Sequence, residues 1–66
     1  MILSYRKFSI ACANNCLNIS SAFKKADVNI AALTKIKNGK NVNALTAGKL
    51  AQALGVSVES LLADEQ

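Results

Sequence analysis

Apolar positions recur three and four apart along most of this 66-residue chain, which is the spacing of helices rather than strands. Tyr5, Phe8 and Cys12, with Ala11 beside them, make an inward stripe for a first helix over about 5–15, with Ser4 as its cap. Ile19, Ala22, Phe23 and Ala26 fall at i, i+3, i+4 and i+7, and predict a second helix over about 19–26. Asn18 is its N-cap, and Lys24 and Lys25 lie on its polar side. A third helix over about 30–38 starts from Asn29, turns Leu33 and Ile36 inward with Ala32, and stops at Gly39 in a left-handed cap. Asn43 caps a fourth, over about 44–54, whose stripe is Ala44, Ala47, Leu50, Ala51 and Leu54, and Gly55 ends it. Ser57 caps a fifth, over about 58–63, that packs Leu61 and Leu62 back, and the tail 63–66 frays.

No period-two alternation competes over a useful length. The expectation is an all-α fold of five short helices forming one domain over residues 1–66. A chain of this size builds a small core and leaves little room for a deep catalytic cleft or ligand pocket. With no tryptophan and three aromatics in all, that core draws on Leu, Ile, Val and Ala.

Charge adds a direction to this scaffold. The net charge is +4, but residues 1–58 hold all eight Lys and Arg against the single acid Asp27, for +7, and residues 59–66 hold Glu59, Asp64 and Glu65, for −3. A basic body with an acidic end suits an anionic partner, nucleic acid first, bound away from the C-terminus. Catalysis has little to draw on: there is no histidine and no nucleophile beside a base. Cys12 and Cys16 share a helical face and read as buried thiols of a cytoplasmic protein. Without histidine they do not supply a metal site, and no cofactor is implied. No apolar run approaches membrane-spanning length.

The second and third helices are about three residues apart, which is the helix-turn-helix arrangement at about 19–38. Around it, "LNISSAFKKADVN", "IAALTKIKNGKNVN" and "LTAGKLAQALGVSVESLL" follow without a gap in register. With Ser4-Tyr5 at the start, this pattern resembles the lambda-repressor/Cro-like (XRE) helix-turn-helix family, in its short stand-alone form, over nearly the whole chain.

The resemblance implies a five-helix DNA-binding fold whose recognition helix, 30–38, enters the major groove of double-stranded DNA. It implies base-edge contacts from Ile30, Ala31, Thr34 and Lys35. Phosphate contacts are expected near Asn18 and Ile19 and around Asn38, Lys40 and Asn41, with Lys37 adding charge. A homodimer is expected through the last helices, with Leu45, Val58 and Leu62 as its seam. The implied function is a small transcriptional regulator of bacterial or phage origin, a repressor before an activator, with no small-molecule ligand.

The departures from the family pattern fall on the reading positions. Ile19 stands where Gln is usual, so it packs beside Phe23 instead of bridging backbone groups. Ile30 and Ala31 stand where polar readers are common, and their side chains offer only apolar contact, as to a thymine methyl. Lys35 is then the main hydrogen-bonding reader, with Thr34 second. Lys37 replaces a usual acid, and Asp27 takes a turn position where Gly is common. The apolar substitutions keep a second reading open, in which the fold serves as a protein-interaction module such as an antirepressor that binds a repressor.

Overall fold

The computed structural model describes residues 1–63. It is all-helical: α1 Tyr5–Asn14, α2 Ile19–Ala26, α3 Ala31–Lys37, α4 Ala44–Leu54, and a closing 3-10 turn at Val58–Leu61. The expected fraying of 63–66 falls almost wholly outside the described residues.

Local chemistry sets most of these boundaries. Ser4, Asn18, Asn43 and Ser57 each accept a backbone N–H in the first turn of the element they precede, satisfying donors that a helix start leaves free. All four α-helices end alike. Cys16, Asp27, Gly39 and Gly55 take positive φ. The next amide then closes onto a carbonyl five residues back: Leu17 N–H onto Cys12 at 2.9 Å, Val28 onto Phe23 at 3.1 Å, Lys40 onto Lys35 at 2.8 Å, Val56 onto Ala51 at 3.0 Å. This is the Schellman closure, which normally tucks an apolar residue against the helix it ends. Leu17, Val28 and Val56 do pack on the core; Lys40, at the exit of α3, is exposed.

The core joins Phe8 of α1, Ala22 and Phe23 of α2, Ile36 of α3, Ala47, Leu50, Ala51 and Leu54 of α4, and Leu3, Val42 and Leu61 from the connecting segments. Phe8 and Phe23 meet edge to face, ring centroids 5.5 Å apart, a favoured aromatic geometry. The pair α2–α4 is the most extensive helix contact, and alanines on both sides keep the backbones close. Asn15 ties α1 to α4: its side-chain N–H groups donate to the Ala11 carbonyl at 2.9 Å and the Leu54 carbonyl at 2.8 Å. Among the described residues no buried side-chain polar atom lacks a partner.

Five sequence expectations need correction. The fifth helix is a single 3-10 turn: Leu62 leaves it in extended conformation because it pairs with Leu3, so the chain cannot keep coiling. The third helix begins one residue later, at Ala31. Tyr5 does not face inward; it is exposed in the first turn of α1, and the Lys37 ammonium lies 5.7 Å from its ring centroid. Ala44 is exposed, because the first residue after the Asn43 cap lies beyond the core's edge. Of the two thiols, Cys12 is buried and Cys16 exposed: Cys16 occupies the left-handed position past the helix end, so the four-residue spacing no longer puts it under Cys12. Desolvation by burial pushes the Cys12 thiol pKa up.

Residues 1–4, which carry no helical periodicity, are the other finding. They run extended between two distant segments. Ile2 pairs with Asn41 and Leu3 with Leu62, both antiparallel. The Val42 amide donates to the Met1 carbonyl at 2.6 Å, the Ser4 amide to Leu61 at 2.8 Å and the Ala63 amide to Ile2 at 2.9 Å. Leu3 between them is 1 % exposed.

Candidate nucleic-acid interface

Helices α2 and α3 are joined by residues 27–30. Asp27 supplies the left-handed turn at φ 58°, a conformation that Asp and Asn visit more readily than other residues with a side chain. Val28 then anchors the turn on the core. Asn29 starts α3 as the sequence suggests: its Oδ1 accepts from the Ala31 amide at 2.8 Å. Ile30 already has helical φ and ψ and makes no side-chain capping bond.

At roughly 100° per residue, α3 turns Ala32, Leu33 and Ile36 to one side, where Ile36 is buried and the other two are half-buried. The opposite arc carries, in order around the helix, Lys37, Ile30, Thr34, Asn38, Ala31 and Lys35, and all six are exposed. Ile30 is 50 % exposed. Six of the ten residues expected to meet DNA thus share one continuous face. Lys40 and Asn41 follow at its exit, also exposed, with Asn41 held in register by its pairing to Ile2.

The remaining two lie on another element and are otherwise engaged. Asn18 Oδ1 accepts from the Ser21 amide at 2.8 Å, so that oxygen is committed to capping α2. Ile19 is half-buried on the core cluster that holds Phe23, in line with its apolar character. Of the expected dimer seam, Leu45 is 68 % exposed, while Val58 and Leu62 are partly buried against the core.

The outer arc of α3 and its exit are electropositive: Lys35, Lys37 and Lys40 are exposed, and among the described residues the acids are only Asp27 and Glu59. Lys37 is the most constrained of the α3 cations, because its ammonium lies over the Tyr5 ring, a favourable contact for a cation. Sequence reasoning passed over Lys49 and Thr46 of α4, which share an open groove of about 410 Å³ with Ala31 and Lys35 of α3. Their phase off the buried stripe of α4 was legible; which neighbour they face was not.

Among the described residues no three His, Cys, Asp or Glu side chains gather to hold a metal ion, and no helix is long and apolar enough to cross a membrane. No family model matches the chain, and no curated protein or solved structure matches it.

Proposed function

We propose that this chain binds double-stranded DNA as a small cytoplasmic transcriptional regulator of the lambda-repressor/Cro-like type, a repressor rather than an activator, with α3 in the major groove. The observation that carries the reading is the six-residue outward arc of α3, exposed throughout and set on a helix-turn-helix, with Lys40 at its exit. Lys35 and Thr34 are the side chains on that arc able to hydrogen-bond base edges near its start, and Ile30 and Ala31 offer apolar contact to thymine methyls. A lysine acts as a point charge and discriminates less than a bidentate arginine. Binding therefore rests mainly on phosphates and shape, with modest sequence preference and steep salt dependence. Pairing of two copies, with Leu45, Val58 and Leu62 at the seam, would present two such helices to paired half-sites.

The test is a band-shift series on random and selected duplexes across salt, with Lys35→Ala and Lys40→Ala beside the unaltered protein. Each substitution is expected to weaken binding several-fold, and Lys35→Ala is also expected to flatten the sequence preference. Unchanged duplex affinity in both variants would remove α3 from the interface.

A second reading has its own observation. Ile30 at 50 % and Leu45 at 68 % exposure are large apolar side chains on or beside the same face, and an apolar patch of this kind suits a protein partner such as a repressor. Capture of a partner protein by a chain that does not bind heparin or random duplex would favour it over DNA.

A further inference from the structure

The groove beside α3 does not stop at Lys35. A second one, of about 210 Å³, adjoins it and shares Asp27 and Lys49. They form a two-part channel beside α4 in which Lys35 of α3 lines the first groove, Lys25 of α2 the second, and Lys49 of α4 both, as does Asp27. The channel carries three cations against the single carboxylate of Asp27.

Its neutral polar groups are also oriented. Asn29 and Asn43 both line it. Each has its side-chain oxygen committed to a helix start: Asn29 accepts from the Ala31 amide at 2.8 Å and Asn43 from the Leu45 amide at 2.7 Å. An Asn whose oxygen is engaged in this way has its NH2 group left to offer, with two donors. The Thr46 hydroxyl, in the same wall, donates or accepts. With Gln52 of the second groove, whose amide can donate as well as accept, Asp27 is the only acceptor without a donor of its own in an otherwise cation- and donor-bearing polar wall. That chemistry suits a run of phosphodiester oxygens lying along it better than an enclosed small molecule.

We propose that this channel, centred on Lys49 of α4, grips the phosphate backbone of the duplex whose groove α3 enters. The proposal rests on the DNA-binding reading above. It moves one backbone contact away from the start of α2, where Asn18 is spent on capping and Ile19 on the core, to the far side of the helix-turn-helix.

The experiment compares Lys49→Gln with Lys24→Gln, which makes the same charge change on α2 outside the channel, in band shifts between 50 and 200 mM salt. Helical circular dichroism confirms that both variants are folded. Each phosphate contact adds about 0.9 to the slope of log affinity against log salt. Lys49→Gln should therefore lower that slope by about one, with a similar loss on every duplex. Across the fourfold salt range its affinity should fall about three- to fourfold less than that of the unaltered protein. Lys24→Gln should keep the full slope. A second readout is the side-chain NH2 resonances in a duplex titration, where Asn29 and Asn43 should shift and Asn14, on the outside of α1, should not. If duplex binds but Lys49→Gln behaves like Lys24→Gln and the two amides stay still, the channel is only a solvated face and the proposal falls alone. If the unaltered protein retains no duplex even at 50 mM salt, this proposal and the DNA-binding reading fall together.

Discussion

Cys16 and Asp27 occupy left-handed turns, at φ 57° and 58°, where Gly39 and Gly55 do the same job without a Cβ. A residue with a side chain loses roughly 1–2 kcal/mol there, and Asp loses less because its carboxylate can bond locally. Cys16 has no such compensation and is exposed, so little packing is lost by removing its side chain. Against the strain relieved stands the greater freedom of glycine in the unfolded chain, about 0.4–1 kcal/mol. Cys16→Gly should therefore stabilise the fold by about 0.5–1 kcal/mol, seen as a rise of a few degrees in the thermal midpoint. A midpoint that falls would mean that the Cys16 side chain makes a stabilising contact. The same scale explains Lys40. At the other three Schellman closures the residue after the turn is Leu17, Val28 or Val56 and packs inward. At α3 it is a lysine left in solvent, which costs that closure its usual apolar contact and leaves a cation at the exit of the exposed arc.

At the scale of an element, α3 is the shortest of the four helices and buries the fewest residues. Its seven residues are too few to hold a helix alone in water, and Ile36 is its one buried residue. Ile36 is 1 % exposed and fastens α3 to the rest of the molecule. Trimming it by one methylene, Ile36→Val, should cost about 0.5–1.5 kcal/mol in urea unfolding. The same change at half-exposed Ile30 should stay within about 0.5 kcal/mol. Equal effects at the two sites would contradict the orientation of α3. The capping residues work at this scale too. Asn18, Asn29 and Asn43 each satisfy a helix-start amide, and Asn29 and Asn43 also line the groove beside α3.

Across the whole molecule, the first four residues close the structure. They bridge the exit of α3, through Asn41 and Val42, to the end of the 3-10 turn, through Leu61 and Leu62. Leu3 fills the core between them. A chain of this size draws on the order of 3–5 kcal/mol from its core, and truncating a buried leucine costs about 2–5 kcal/mol. Leu3→Ala should leave the protein largely unfolded at 37 °C by circular dichroism. At lower temperature the Val42 amide, bonded to the Met1 carbonyl, should lose its protection from hydrogen exchange. A Leu3→Ala protein as stable as the parent would show that the N-terminal strap is dispensable. Because the strap also holds Asn41, just past the exposed arc of α3, fold stability and the placement of that arc are coupled here.

What the sequence determined by itself were features whose cause lies within one or two helical turns. Alternate turns of apolar residues placed α1 to α4, Asn and Ser starts and the stops at Gly39 and Gly55 bounded them, and the phase of Ile36 against Lys35 and Thr34 assigned the inner and outer faces of α3; the left-handed turn at Cys16, which carries no glycine, went unread. The tertiary structure alone decided the rest. Leu3 sits on no periodic stripe, so its burial depends on segments far along the chain closing around it. Leu62 would have continued a helix, but pairing with Leu3 pulled it into extended backbone. Tyr5 fits the inward stripe of α1, yet it is exposed with the Lys37 ammonium over its ring, a contact that only the packing of α3 beside α1 provides. Lys49, which sequence reasoning passed over, shares one groove with Lys35 and another with Lys25 only because α2, α3 and α4 pack together. Hydrogen bonding and side-chain period are local and legible in order; which faces meet is settled only when all the helices compete for one core.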